Sequence, residues 1–551
     1  MPNLQPAQPD KPAERQQSGS SEVRAAGALL CGELPEELRT ALIAHIREQR
    51  WFRGKARKIQ ALSVLDHLPL GAASSAPALL VVRVTYEDQS SELYVLPVAL
   101  STDTAQTPHI GRMQLQGAQA TLIDPSGREE LSRALLELFV RERTEGVNGE
   151  ISARPSAALR ARVEEGGAGL APRIPSGEQS NTSVFYGREL MVKLFRQLEP
   201  GENPDVELND YLWANGYRHV PEPLGSLSYE LDGTSYTLGI AQRFVESEGI
   251  AWEVTLDVLG RSLELALALA AEQIVPPLPQ GDVVDGIGQA PPESIDGFIS
   301  AYAPFATLLG ERTAELHLSL AAPRTQPAFA PEAFTADYQQ ALVQATRERI
   351  ARAFDLLSTQ RASLPPEVQP LAEEVLRGRE SLAGQLEVLD RIHVRASRIR
   401  CHGDYHLGQV LYGHNDFTIL DFEGEPAQPL AARRQKLSAL YDVAGMIRSF
   451  HYAATVALQH ERFSPDDRKR LEPWAEAWFR WISASYLCAY LRKAREHGAA
   501  VFLPQNPTEL RALFRLHTID KCSYELSYEL NNRPAWVAVP LTGLRSLIDN
   551  A

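Results

Sequence analysis

Asp404, Gln409, Asp421 and Glu423 are the residues whose types and order point most directly to chemistry. Asp404 and Gln409 belong to His402-Gly403-Asp404-Tyr405-His406-Leu407-Gly408-Gln409, and Asp421-Phe422-Glu423 begins twelve residues after Gln409. An acid on a loop, an amide oxygen and a second acid at a strand end are what phosphoryl transfer needs. One carboxylate receives the acceptor's proton, and the other groups hold magnesium against the phosphates. Each acid taken singly reads equally well as a surface residue; the ordered set carries the signal.

Such a set works only if the chain folds back on itself, and the residues between supply the means. Val410-Leu411-Tyr412 and Phe417-Thr418-Ile419-Leu420 flank the turn-rich Gly413-His414-Asn415-Asp416. This pattern predicts two short strands and a tight hairpin, which would set Gln409 beside Asp421. Asp442 opens a helical pattern with Val443, Met446, Ile447 and Phe450 on one face. Its carboxylate could cap that helix or accept N–H groups of the Asp404 loop, and the two roles are compatible. His402 and His406 flank Asp404 at i and i+4, yet Gly403 and the loop context oppose a zinc site. His402 reads as a loop-holding residue, and His406 as either structural or substrate-contacting.

Residues 173–245 have the grammar of a nucleotide-holding sheet. Gln179-Ser180-Asn181-Thr182-Ser183 is a small polar turn before the strand Val184-Phe185-Tyr186, and Lys193 lies inside the apolar run Leu190 to Phe195. A lysine there is costly unless paired. Glu207, on a helix after Pro204-Asp205, is the expected partner, in the manner of the phosphate-gripping pair of kinases; an edge-strand lysine facing solvent is the plainer reading. Leu238 to Val245, which includes Gln242, reads as a strand leading into a hinge.

The chain has 551 residues, enough for two or three domains, with the charged and apolar fractions of a globular protein. A formal charge of -15 argues against a nucleic-acid partner. Cys31, Cys401, Cys488 and Cys522 are scattered and form no CxxC pair, so neither a zinc site nor a disulfide framework is indicated. Leu263 to Val275 is apolar but carries Glu264 and Glu272 and is too short to span a bilayer. The first residues lack the apolar core of a secretion signal, so a cytoplasmic protein without membrane association is expected. Residues 1–27 read as a disordered tail, and Glu164 to Gly169 as a glycine-rich connection. Pro276 to about residue 297 reads as a long irregular insertion. Near the end, Ile519, Cys522, Leu526 and Leu530 form an apolar helical stripe, while Lys521, Tyr524, Glu525 and Tyr528 fall on another face. That second face suits either solvent or sugar hydroxyls.

With these motifs in hand, the chain resembles the maltokinases, bacterial enzymes that make maltose 1-phosphate from maltose and ATP. The matching stretches run from Arg50-Trp51-Phe52-Arg53-Gly54-Lys55 to Asn531-Asn532-Arg533-Pro534. The most specific are Glu178 to Ser183, His402-Gly403-Asp404 with Gln409, Asp421-Phe422-Glu423-Gly424-Glu425-Pro426, and Tyr524 through Arg533. The resemblance implies an α+β, bilobal, protein-kinase-like fold with a cap subdomain over residues 28–150, a β-rich N-lobe over 151–245 and a mainly helical C-lobe over 246–551. It implies Asp404 as catalytic base and Gln409, Asp421 and Glu423 as magnesium ligands. ATP would be held by Gln179 to Ser183, Lys193, Glu207, Gln242 and Val245, and the sugar by His402, Asp404, Lys521 and Tyr528. Trehalose synthase is the implied partner, and α-glucan synthesis the implied destination of the product. Tyr441 and His451 stand where the family usually has arginine and aspartate, which leaves the acceptor open to amino sugars such as glucosamine, or to aminoglycosides. A kinase-shaped binding protein without catalysis should have lost Lys193, Asp404 or Asp421, and all three are present.

Overall fold

The computed structural model describes residues 29–31, 34–73, 75–101, 109–115, 118–165, 170–175, 181–322, 326–497 and 501–549. The expected tail (1–27), residues 166–169 of the glycine-rich connection, and Gln179 and Ser180 lie outside the described residues. The chain divides into two compact units, one comprising residues up to Asp210 with Pro221–Glu246, the other Tyr211–Val220 with Ser247–Ala551.

The first unit holds two antiparallel sheets. Helix α1 (Glu36–Glu48) precedes strands β1 (Ile59–Pro69), β2 (Ala78–Tyr86), β3 (Ser91–Ser101), β4 (His109–Leu115) and β5 (Ala118–Ile123), which form a sheet in the order β1-β2-β3-β5-β4. Strand β2 is a run of Leu and Val, so both of its faces are apolar and both are covered. Leu80, Val82 and Val84 pack with Leu38, Leu42 and Ile46 of α1. Leu79 and Val81, pointing the other way, pack with Leu131 and Leu135 of α2 (Glu129–Leu138) and with Tyr229 and Leu238 of the next sheet.

That next sheet has seven strands: β6 (Arg143–Glu145), β7 (Gly149–Pro155), β8 (Pro172–Arg173), β9 (Thr182–Tyr186), β10 (Leu190–Leu194), β12 (Pro223–Leu231) and β13 (Thr234–Arg243). Their order is β6-β7-β12-β13-β10-β9-β8, and β11 (Gln197–Leu198) leaves it to pair with β3. The expected divide at residue 150 falls within β7, whereas the expected divide after Val245 lies one residue before the unit's end at Glu246. Helix α3 (Pro204–Ala214) begins in this unit.

The second unit is mainly helical, built on α4 (Ala251–Ala271), α5 (Ala303–Ala321), α6 (Leu440–Leu458), α7 (Pro465–Glu496) and α8 (Pro507–Asn532). Helix α6 is buried along most of its length and packs on α4, α7 and α8. Strand β14 (Gly249–Ile250) adds to a hairpin of β17 (Val410–Gly413) and β18 (Asp416–Ile419), and β15 (Glu332–Ala333) pairs with β16 (Ser397–Arg398). The expected insertion runs without regular structure from Pro276 to a short helix at Glu293–Ile299. It is pinned to the helices: Trp481 Nε1 donates to Pro277 O at 2.9 Å, and Arg511 pairs with Asp285. Among the described residues no helix is long and apolar enough to cross a membrane.

Candidate active site

In the second unit the hairpin has the expected register, with Val410 opposite Ile419 and Gly413 opposite Asp416. The two turn residues, His414 and Asn415, have φ of 53° and 56°, the left-handed pair that a tight hairpin with the strands' own twist demands. Leu420 N–H donates to Gln409 O at 2.9 Å and extends the ladder by one step. The chain then turns at Asp421, itself left-handed with φ of 61°. As a result Gln409 Nε2 donates to Asp421 Oδ2 at 3.0 Å, the juxtaposition the spacing predicts. This bond orients the amide, and Gln409 Oε1 is the atom that could serve a cation. Carboxylate oxygens of Asp421 and Glu423 lie within 4.8 Å of each other. An amide oxygen and two carboxylates are hard oxygen donors, a set that fits Mg²⁺ rather than zinc or copper.

The Asp404 loop is fixed by hydrogen bonds from beneath. Asp442 Oδ2 accepts His402 N–H at 2.8 Å and Oδ1 accepts Gly403 N–H at 2.9 Å. Asp442 therefore buttresses the loop, and at the start of α6 it is Ser438 Oγ that accepts Leu440 N–H, at 3.3 Å. Gly403 has φ of 84°, which a side chain would strain. His317 Nε2, on α5, lies 3.0 Å from Asp442 Oδ2, and its Nδ1 lies 2.9 Å from Tyr490 Oη on α7. Burial would raise the Asp442 pKa, but the His317 hydrogen bond and charge, with the loop N–H groups, hold it below the ordinary carboxylate value. Tyr405 Oη meets Thr313 Oγ1 at 3.0 Å, and Leu407 N–H donates to Ser449 Oγ at 3.1 Å. At Gly445 a Cβ would approach Tyr405 O to 2.7 Å, so α6 can lie this close to the loop only with glycine there.

His402, expected in the sugar site, is instead turned inward. It is 1% exposed, its Nε2 lies 2.8 Å from Leu420 O, and its Nδ1 accepts Asp404 N–H at 3.3 Å. Both ring nitrogens are thus used to tie the loop to the hairpin. Half-buried Asp404 keeps its carboxylate near His406, whose Nε2 is 3.9 Å from Oδ2 while its Nδ1 accepts Gly408 N–H at 3.0 Å.

Helix α8 buries Ile519, Cys522, Leu526 and Leu530 as the stripe predicts. Lys521 is also buried, so it is not part of a solvated face. Its ammonium sits 4.1 Å from the centroid of the Tyr441 ring. Burial alone would lower the Lys521 pKa, but Tyr441, Asp404 and Glu425 together raise it above the usual lysine value. Tyr441 Oη donates to Glu425 Oε2 at 3.3 Å, and Glu425 Oε1 is buried without a hydrogen-bond partner. Tyr528 is largely exposed, 6.3 Å from Tyr524, with the Arg533 guanidinium 5.2 Å from its ring. Glu525, expected on the sugar-facing side, is engaged by Arg448 through Nε at 2.9 Å and Nη2 at 2.7 Å.

In the first unit Lys193 lies on β10 opposite Ser183 of β9 and Ile240 of β13. Its Nζ donates to Asp205 Oδ2 at 3.0 Å. The sequence reading pairs Lys193 with Glu207; Asp205, two residues earlier in the first turn of α3, is a partner that reading did not name. Asn209 Nδ2 holds the other oxygen of Asp205 at 3.0 Å, which aims the first at the lysine. Glu207 is itself buried. Gln242 pairs with Met191 across the sheet, and Val245 lies in the segment just past β13. Arg196, which sequence reasoning passed over, braces the start of β9: its Nε donates to Thr182 Oγ1 at 2.7 Å and its N–H to Asn181 Oδ1 at 3.3 Å. Its guanidinium also reaches Val95 O and Ser126 Oγ of the cap region, a distant contact that no local pattern announces.

Comparison with known proteins agrees with this architecture. The family model of the maltokinase N-terminal cap domain matches residues 45–125. A glucosamine kinase of Mycolicibacterium smegmatis is 27% identical over 68% of this chain and 78% of its own, and one of Streptacidiphilus jiangxiensis is 25% identical over 67% and 72%. Among solved structures, a glucosamine kinase superposes with a TM-score of 0.60 at 19% identity over 95% of this chain and 99% of that one. A glucosamine kinase in complex with glucosamine, ADP and inorganic phosphate superposes with a TM-score of 0.58 at 21% identity, over 94% and 98%. Residues 45–125 thus match the maltokinase N-terminal cap, and the fold of the chain is kinase-like.

Proposed function

We propose that this protein is an ATP- and Mg²⁺-dependent sugar kinase that phosphorylates maltose at its anomeric hydroxyl. The observation that carries the reading is the Gln409–Asp421 bond, which assembles a hard-oxygen pocket beside a loop bearing Asp404. Magnesium bound there would neutralise phosphate charge. Lys193, held by Asp205, grips the phosphates, and Asn181 with Thr182 and Ser183 at the start of β9 covers them with N–H groups and hydroxyls. Asp404 orients the sugar hydroxyl and takes its proton as that oxygen attacks the γ-phosphorus in line. The bond to the β-phosphate oxygen breaks, and ADP leaves. Rate is gained chiefly by positioning and by charge neutralisation. Lys521, Tyr524 and Tyr528 offer a cation and aromatic planes to the sugar.

The product would supply maltosyl transfer in α-glucan building, with trehalose synthase a plausible source of maltose and a cytoplasmic setting. A second reading, phosphorylation of an amino sugar such as glucosamine, is favoured by the two glucosamine kinases among the relatives and by Glu425, whose free carboxylate oxygen adds negative charge near Lys521. ATP consumption with Mg²⁺ is to be measured against maltose, glucose, trehalose, glucosamine and an aminoglycoside. Preferential turnover of maltose to an acid-labile phosphate supports the first reading, preference for glucosamine the second, and turnover of none of them refutes both.

A further inference from the structure

Of the large hydrophobic side chains that the described residues leave exposed, five fall within fourteen consecutive positions: Leu265, Leu269, Ile274, Val275 and Leu278. Leu265 is 76% exposed on a helix whose other face, through Thr255, Leu259, Leu263, Ala266 and Ala270, is buried, and Val275, just past the helix end, is 74% exposed. The helix end makes the patch continuous. Gln273 is left-handed (φ 60°), its N–H bonds Ala270 O at 3.1 Å, and Ile274 N–H bonds Leu269 O at 3.1 Å. These are the two bonds of a Schellman turn, which carries Ile274 back against Leu269. An exposed contiguous apolar patch of this kind marks an interface.

The charges at its ends identify the partner. Arg261, Leu265, Ala268, Leu269 and Glu272 recur at three- and four-residue spacing and share one face of α4. The stripe therefore begins at Arg261, whose guanidinium also holds Asp257 one turn earlier at 2.6 Å, and ends with an acid, and its midpoint lies between Ala266 and Leu267. A second α4 laid antiparallel about that midpoint would set Arg261 against Glu272 of the other copy, and Leu265 against Ala268 and Leu269 of the other copy. Self-complementary patches are what a two-fold dimer requires. We propose that α4 and the segment to Leu278 form an isologous dimer interface between two copies of this chain.

The test is sedimentation equilibrium of the full chain between about 1 and 100 µM. The wild type is expected to dimerise, Leu265→Glu to weaken association at least about tenfold, and Arg261→Glu to weaken it several-fold. Combining Arg261→Glu with Glu272→Arg is expected to restore association, which only the antiparallel register predicts. Thermal melts of each variant check that the exposed substitutions leave folding intact. A wild type that is monomeric throughout, including one whose patch is covered by its own residues 1–28, overturns the proposal. So does a dimer indifferent to Leu265→Glu, or charge reversals that fail to rescue one another.

Discussion

At the scale of residues, the reaction is divided among side chains that can be altered one at a time. Replacing Asp404 by asparagine keeps shape and removes the proposed proton acceptor, so turnover should fall at least about a hundredfold with the fold and ATP affinity unchanged. A variant within a few-fold of wild type would take Asp404 out of that role. Lys521 and Glu425 should act on the acceptor alone. Lys521→Met should raise the acceptor KM about tenfold, as the loss of one charged hydrogen bond does, and leave the KM for ATP where it was. Because its folded pKa is raised, Lys521 stays charged below the ordinary lysine value, and any stability its charge contributes is lost only as pH rises through the folded value. The Lys521 effect should therefore be flat from pH 6 to 9, with pH optima compared between wild type and variant. Glu425→Gln separates the two acceptor readings: about a tenfold loss for glucosamine with little change for maltose would place an ammonium near that carboxylate. Much of this was legible in sequence, since Asp404, Gln409 and Asp421 declare themselves by type and spacing. Asp205 did not, because its aim at Lys193 depends on where Asn209 pulls the carboxylate. Glu425 and Tyr441 drew notice only as parts of a resemblance, because their meeting joins residues that no local pattern pairs.

At the scale of elements, the hairpin followed from its own sequence because register and turn are both local. The floor beneath the Asp404 loop was half legible: Asp442 could be placed under it, but His317 and Tyr490 come from helices far away in sequence, and nothing in their spacing announces the meeting. That floor makes a pH prediction. Asp442 has a folded pKa below its ordinary value, so the stability it contributes is present above about pH 4 and is lost as pH falls through the folded value. Asp442→Asn removes the charge and puts a donor against a loop N–H, and should cost about 3 kcal/mol at neutral pH. Urea unfolding of both proteins should give a constant difference from pH 7 to about 5 and a narrowing one below about 4. A difference that stays constant to the acid limit of folding would mean that the Asp442 contribution is steric rather than ionic.

At the scale of the whole molecule, the cap is the part a sequence reader would detach, since the family model ends at residue 125 and β-rich segments on either side look complete in themselves. The structure argues otherwise for the first unit. Val81 and Val95 of the first sheet share one core with Tyr229 and Leu238 of the second, and β11 crosses to pair with β3. A single buried carboxylate fastens the join. Asp66 on β1 accepts His67 N–H at 2.8 Å, Val147 N–H at 2.7 Å, Asn148 N–H at 3.0 Å and Tyr229 Oη–H at 2.9 Å. Gly146 lets the β6–β7 turn come so near, because a Cβ there would stand 2.6 Å from both Asp66 oxygens. All of these partners but His67 are far from Asp66 in sequence, which is why an isolated aspartate in an apolar strand gave no hint of its task. Asp66→Ala leaves the buried His67 N–H and Tyr229 Oη–H unpaired and should cost about 3 kcal/mol or more. For a unit of this size that is a fall of roughly 6–12 °C in Tm, and Mg·ATP affinity should drop with it because the same sheet carries Lys193. A chain begun after residue 125 should show no cooperative melt of the seven-stranded sheet, since the strands that bring Leu68, Leu70, Leu79, Val81 and Val95 to its core are gone. If Asp66→Ala melts within about 1 °C of wild type, or the shortened chain unfolds cooperatively and still binds Mg·ATP, the cap is a separate module and the shared core does not hold the sheet.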